Sequence, residues 1–422
     1  MGERVTPRGI ALPGNRWDLL DGRRPDAAPT VSVVVAHYEQ PEQLARCLAA
    51  LGGQDHPRDR LEVIVADDGS TEPPRVPEGV RLVRQADEGF RLAAARNLGA
   101  SHATGDVLVF LDADTVPEPG FIRELTRMPG LAPDVVVVGR RRHADLTGAA
   151  VVADIRPVVA GRELPEPAWL TDAYRRSRNL LEADDRSYRH TIGAVLACSR
   201  IIFDATGGFD ESFRSYGGED WEWTYRAWLK GALLAHVPQA VAWHDGPDAG
   251  ARDEHDRARR NAEAVLLADL IPVPGSRPHG RPTDRVDVAV TAPPGASEGA
   301  AFVSVDSVLA AVPGSEWVDA AALAEARGRL DRVRVHVEIV RPVRVDRILG
   351  DLVDSIARDG LGVVTVRADD GTVLLRIRSS RAAAREERWG RDDLFPRASE
   401  RVDGVRLLVG EPDVAAYLGG WG

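Results

Sequence analysis

Between residues 30 and 250, near-continuous apolar runs alternate with segments of helical period. VSVVVAHY (31 to 38) reads as a buried strand, PEQLARCLAAL carries apolar residues at helical spacing, and LEVIVADDGS (61 to 70) repeats the strand and ends in turn residues. VRLVRQAD (80 to 87) predicts a third strand, RLAAARNLGASHA a helix, DVLVFLDAD (106 to 114) a fourth strand ending in acid, and VVVVG (135 to 139) another strand. EDWEWTYRAWLKG (219 to 231) suits a helix stopping at Gly231, and ALLAHVPQAVAWHD a strand ending near His244. This alternation predicts an α/β domain with a mainly parallel sheet sandwiched by helices.

The same pattern divides the chain. Residues 1–29 read as an irregular arm, 30–270 as the main domain, 271–284 as a Pro/Gly-rich linker and 285–422 as a smaller α/β domain. In the last segment VDVAVTA, VRVHVEIV, LGVVTVRA and TVLLRIRS read as strands, with helices near 319 to 328 and 345 to 358. ADDG (368 to 371) reads as a hairpin turn between two of these strands, and RAAAREERWGRDD as a solvated helix laced with ion pairs. Residues 143 to 189 are arginine-rich and read as an irregular, mobile acceptor-side or lid segment.

Composition narrows the class. A net charge of −11 disfavours a nucleic-acid partner, because such a surface repels phosphates. Lys230 is the one lysine, so cationic recognition falls to forked arginine side chains. Cys47 and Cys198 alone build neither a disulfide framework nor a cysteine metal site, which suggests a reducing compartment. With no run of about 18 apolar residues, no membrane span is expected. The expected setting is cytoplasmic, with peripheral attachment to the inner face of the membrane open to it.

In doubly covered sheets, ligands sit beyond the carboxyl ends of the strands. His37, Tyr38, Asp67, Asp68, Asp112 and Asp114 all fall at such ends. In LDAD, Asp112 and Asp114 share one side of the backbone and together suit a hard divalent cation that bridges a diphosphate. Asp68 suits a nucleoside base, with Asp67 shaping the turn of the nucleotide-sugar site. Arg96 follows on a helix, where it either meets phosphate or a base carbonyl or neutralises the nearby aspartates. His190 reads as a satisfied histidine, His236 and HDRARR (255 to 260) as structural or surface features, and Trp223, Trp228 and Trp243 as core.

VSVVVAHYEQ, EVIVADDGST, VRQADEGFRLAAARNLG, LDADTVPEP and GGFDESFRSYGGEDWEWTYRAWLKG resemble, in order and spacing, the catalytic domain of family 2 inverting glycosyltransferases with the GT-A fold. The likeness is to chondroitin-polymerase-type and galactosyltransferase-like enzymes and covers roughly residues 30 to 250. It implies transfer of a hexose or N-acetylhexosamine from a UDP-sugar to a glycan or small-molecule acceptor, with Mn2+ or Mg2+ as cofactor. Carried over, Ala36, Tyr38, Glu39, Asp68 and Arg96 become nucleotide contacts and Asp112 a ribose or metal contact. Asp114 and His244 become metal ligands. The second acid of the Glu219–Asp220 pair becomes the general base, with Glu219 orienting the acceptor or the helix start. Gly217 and Gly218 allow backbone to approach the acceptor, and Trp221 offers it a ring face. The bare alternative for the acid pair is a helix cap, and the two roles are compatible.

Two departures from the pattern stand out: Ala36-His37 where Pro-Thr or Pro-Ala is usual, and Trp221 where Asn or Asp is frequent. Other readings are a nucleotidyltransferase, which lacks its glycine-rich basic loop here, and a non-catalytic nucleotide-sugar-binding or scaffold protein.

Overall fold

The computed structural model describes residues 7–215, 217–247, 254–325 and 328–420. They divide into two compact units, one of Pro7–Trp228 with Ala232–Leu266, the other of Leu229–Gly231 with the chain from Leu267 onward.

The first unit opens with β1 (Val31–His37), α1 (Pro41–Gly52), β2 (Leu61–Asp67), β3 (Arg81–Arg84), α2 (Leu92–His102) and β4 (Val107–Asp112). Every residue of β1 is buried, which is why its run is apolar without alternation. β3, β2, β1 and β4 lie side by side and parallel, with Ala36 level with both Ala66 and Asp112, and His37 level with Asp67. That register carries the acidic strand ends to one rim.

Next come β5 (Thr115–Pro117), α3 (Phe121–Leu131), β6 (Val135–Ala144), α4 (Arg156–Val159), β7 (Glu163–Leu164), α5 (Ala168–Arg176), β8 (Val195–Ser199), α6 (Arg200–Thr206), α7 (Glu219–Leu229), β9 (Leu233–Asp245) and α8 (Glu254–Leu270). Here the nine-stranded sheet becomes mixed: β6 and β9 pair parallel, whereas β8, β7 and β5 enter antiparallel. The α/β class holds, with the expected parallel pairing concentrated in the β3-β2-β1-β4 half.

Two segments read as irregular carry structure. Within 143–189 lie α4, β7, α5 and a 3-10 turn at Ser187–His190. The described part of the amino-terminal arm buries Trp17 and Leu20 in the core. Asn15 ties it down, its Nδ2 donating to the Leu180 carbonyl at 2.6 Å and its Oδ1 accepting from the Leu234 N–H at 2.9 Å.

The second unit adds β10 (Val288–Thr291), α9 (Glu298–Ala311), β11 (Ser315–Trp317), α10 (Ala320–Glu325), β12 (Val335–Ile339), β13 (Val343–Val345), α11 (Gly350–Arg358), β14 (Val363–Arg367), β15 (Val373–Ser379), α12 (Ser380–Trp389) and β16 (Arg397–Arg401). Its six-stranded sheet has the order β11-β10-β12-β15-β14-β16, and ADDG turns the chain between the antiparallel strands β14 and β15. α12 is not the solvated helix expected: Arg381 and Arg385 are buried, each with its guanidinium 5.4 Å from the Phe395 ring. Long arginine stems pack as apolar surface, which a charge count does not reveal. Among the described residues no helix is long and apolar enough to cross a membrane.

α2 lies close on the sheet because Gly99 has no side chain: a Cβ there would overlap Val34 of β1 and touch Ala66 of β2 at 3.3 Å. Gly99→Val is therefore expected to cost about 1–3 kcal/mol by overpacking, read as a lower urea midpoint with an unchanged slope.

Candidate active site

The rim is fixed first by Asp67. It accepts from Ser70 Oγ at 2.6 Å and Arg84 Nε at 2.8 Å, and its Oδ1 lies 2.7 Å from His37 Nδ1. Burial raises its carboxyl, but the bonds from Ser70, His37 and Arg84 outweigh burial and leave it below the usual range. Asp67, expected in the nucleotide-sugar site, is thus fully buried and spends both oxygens on the turn. Glu39 completes the staple, with φ 50, its Oε1 accepting from the Thr71 N–H at 2.6 Å and its own N–H donating to Ser70 Oγ at 2.9 Å. Strain of this kind persists only where surrounding bonds hold it.

Beyond these turns lies a cavity of about 340 Å3 lined by Ala36, His37, Tyr38, Gln40, Asp68, Gly89, Phe90, Leu92, Ala95, Asp112 and Asp114. Residues from the ends of β1, β2 and β4 meet there, as the strand-end rule requires. Asp68 accepts from Gln85 Nε2 and from the Arg91 N–H, and burial holds its carboxyl above the ordinary value. Tyr38 keeps its ring exposed.

Arg96 joins this cavity to the acid pair. Its guanidinium is buried and forked, Nη2 donating to Asp112 Oδ1 at 2.8 Å and Nη1 to Glu219 Oε1 at 2.8 Å. A buried cation is costly unless paired, and here two carboxylates pair it. Gly193 makes room, since a Cβ at that position would stand 2.7 Å from Arg96 Nη1. The Gly193 N–H then donates to Asp220 Oδ2 at 2.8 Å, while Asp220 Oδ1 accepts from the Trp221 N–H at 2.8 Å. Both acids open α7, where the helix dipole favours negative charge. Burial and the neighbouring Asp220 push Glu219 up to about 7 against the pull of Arg96, and burial raises Asp220 as well.

Asp114 meets His244 across the β5–β9 pairing, with His244 Nε2 3.5 Å from Asp114 Oδ2. Burial lowers the His244 value, but Asp114 outweighs it and raises the imidazole; His244 in turn holds Asp114 low against its burial. Among the described residues no three His, Cys, Asp or Glu side chains converge as a metal cage. One carboxylate and one imidazole beside a cavity still suit a cation whose remaining ligands are phosphate oxygens and water.

Gly217 and Gly218 have φ values of 101 and 90, conformations that favour glycine, just before α7. A Cβ at Gly217 would stand 2.7 Å from Glu263 Oε2. Trp221 is half-buried and edge-on to Tyr188, with ring centroids 6.4 Å apart. Trp223, Trp228 and Trp243 are core. His190, read from the sequence as a satisfied histidine, is instead half-buried with Nδ1 lacking a hydrogen-bond partner, and His236 stacks on Tyr174 at 3.6 Å. Sequence reasoning missed Gly193, Gln85 and Phe90. The last two sit in VRQADEGFRL, a segment quoted for its spacing alone.

The first unit is thus an α/β domain whose acidic cavity lies beyond its strand ends. Residues 32–196 match glycosyl transferase family 2, and residues 182–242 match a galactosyltransferase domain described as amino-terminal. Residues 32–196 of this unit thus carry a glycosyl transferase family 2 domain. The chain is similar to the chondroitin synthase of Escherichia coli, 30% identical over 61% of this chain and 41% of the relative. It is also similar to the validoxylamine A glucosyltransferase of Streptomyces hygroscopicus subsp. jinggangensis, 33% identical over 57% of this chain and 59% of the relative. It therefore spans less than two thirds of either relative's length. A solved structure of GalNAc-T7 with UDP, GalNAc and Mn2+ aligns with a TM-score of 0.41 at 21% identity, over 53% of this chain and 45% of that one.

Arg96→Met strands the Asp112 and Glu219 charges and is expected to cost about 3–5 kcal/mol. The deficit should shrink on acidification, because protonating Glu219 removes a stranded charge; urea melts at pH 5 and pH 8 measure both.

Proposed function

We propose that the first unit is a metal-dependent inverting glycosyltransferase that moves a hexose or N-acetylhexosamine from a UDP-sugar to a hydroxyl of a glycan or small-molecule acceptor. One observation carries this reading: Arg96 grips Asp112 of the LDAD rim with one nitrogen and Glu219 of the acid pair with another, each at 2.8 Å. Two motifs more than a hundred residues apart in sequence thereby serve one site.

The uridine and ribose would occupy the cavity of about 340 Å3, with Tyr38 along the base, Asp68 accepting from it and Asp112 facing the ribose. Glu39 and Asp67 act by holding the loops that shape this cavity. Asp114 and His244 would hold Mn2+ or Mg2+, which offsets charge on the departing diphosphate. Asp220 is the base: its carboxylate takes the proton of the acceptor hydroxyl as that oxygen bonds to the anomeric carbon and the bond to the diphosphate oxygen breaks. The Gly193 N–H holds one of its oxygens at 2.8 Å and fixes its direction. Glu219 links the base to Arg96, Gly217 and Gly218 leave room for acceptor, and Trp221 offers it a ring edge.

Asp220→Asn should lower transfer by about 10²–10⁴-fold while UDP still binds. Asp114→Asn should weaken Mn2+-dependent UDP binding as well, measured by calorimetry with and without the cation. Because burial raises the Asp220 carboxyl and the base works ionised, kcat should rise with pH through a value above the ordinary aspartate range. A pH profile flat down to that range would contradict the role. Thermal stabilisation by a guanosine donor alone would overturn the choice of uridine.

A further inference from the structure

A cavity between the amino-terminal arm, α3 and β9 takes no part in the site described above. It measures about 540 Å3, a size usual for small-molecule sites. Two departures from regular backbone meet in its lining. The pairing of β6 with β9 slips from Gly139–Val237 to Arg140–Val241, so Pro238, Gln239 and Ala240 are extra residues, and the first two of them line the cavity. Bulges of this kind re-aim side chains, and proline, with no N–H to pair, suits one. The second departure is a left-handed turn without glycine: Arg178, Asn179 and Leu180 have φ values of 53, 57 and 66, and Asn179 lines the cavity as well. Such strain persists only where bonds hold it. Here the Asn179 N–H donates to the Tyr174 carbonyl at 2.7 Å, the Asn179 carbonyl accepts from the His236 N–H at 3.0 Å, and the Leu180 carbonyl accepts from Asn15.

The lining mixes donors with acceptors. Asp21 and Glu124 bring carboxylates, Arg23, Arg24 and Arg127 guanidinium groups, and Asn179 and Gln239 amides. Glu124 is engaged by Arg123 at 3.0 Å, and Arg127 Nη1 donates to the carbonyls of Leu20 and Arg23. Among the described residues no hydrogen bond or ion pair occupies the side chains of Asp21, Arg23 or Gln239. Two nitrogens of the wall also lack partners: Trp17 Nε1 and His236 Nε2, on residues 9% and 6% exposed. His236 Nδ1 carries the ring proton toward Asn179 Oδ1 at 2.9 Å, and burial with Arg140 pushes the imidazole down to about 3, so Nε2 is an acceptor and Trp17 Nε1 a donor. A phosphate or carboxylate only accepts and would meet Asp21 and Glu124. An ammonium only donates and would meet three arginines. A hydroxyl does both, and a sugar carries several on a rigid ring whose C–H faces suit Met128, Val237 and Pro238.

The cavity is also continuous with the acid pair's surroundings. Asn179, His236 and Pro238 line both it and a cavity of about 240 Å3 that reaches Ile192, the residue before Gly193, whose N–H holds Asp220. We propose that the larger cavity is a second, non-catalytic carbohydrate site, which holds a glycan chain by sugar units remote from its reacting end. The proposal rests on the transferase reading for its choice of a glycan among polyhydroxylated ligands.

The test is direct binding to the full chain, followed by saturation-transfer NMR without donor or cation. Three probes differ in their sugar chemistry: maltohexaose, chitohexaose and an unsulfated chondroitin hexasaccharide. At least one should bind, and UDP with Mn2+ should not displace it. Arg23→Ala and Gln239→Ala remove exposed side chains outside the catalytic machinery. Each should raise the Kd of the bound hexasaccharide about two- to tenfold, the scale of one hydrogen bond, and leave the urea midpoint unchanged. No binding by any of the three, a Kd indifferent to both substitutions, or displacement of the sugar by inorganic phosphate overturns the proposal. If binding depends on Arg23 and Gln239 while no acceptor is glycosylated by the unmodified chain, the second site stands and the transferase reading fails. If transfer proceeds and no hexasaccharide binds through these side chains, the transferase reading stands and the second site fails.

Discussion

The site depends on a buried guanidinium shared by two carboxylates. Arg96 reaches Asp112 at the end of β4 and Glu219 at the start of α7, both at 2.8 Å, from a position almost wholly out of solvent. A charge in that position is tolerable only if paired, so the end of β4 and the start of α7 must close around it together. Gly193 permits the closeness by lacking a Cβ, and its N–H extends the network to Asp220. The pairing that makes the buried charge tolerable also links the end of β4 to the acid pair that opens α7.

The sheet supplies the other half of the constraint. Parallel register sets Ala36 beside Asp112 and His37 beside Asp67, so that polar groups emerge together at the rim while the strands behind them stay apolar. The antiparallel half contributes differently: β5 and β9 pair Thr115 with His244, which carries the imidazole to Asp114. The polar groups of the rim and the Asp114–His244 pair therefore come from both halves of one mixed sheet.

The strands β1, β2 and β4 were legible because strands buried over most of their length read as apolar runs, and the acidic rim was legible because its residues end those runs. The pairing direction of β8, β7 and β5 was not, since apolar runs carry no direction. Nor was the partner of Arg96 in Glu219, 123 positions away, because local spacing says nothing about so distant a contact. Gly193 sat unremarked in an apolar stretch: a backbone N–H belongs to every residue but proline, and only the packed guanidinium explains why glycine is needed there. The buried arginines of α12 eluded a charge count for a related reason, their stems behaving as hydrocarbon.

If the cation pair and Asp220 attend one reacting sugar from opposite faces, the configuration at its anomeric carbon must invert. The proton NMR spectrum of the first product formed from an α-linked UDP-sugar measures this directly through the anomeric coupling. A β-linked product is what the account predicts. An α-linked product would mean front-face attack or two successive displacements, and Asp220 could not be the base of the single displacement described.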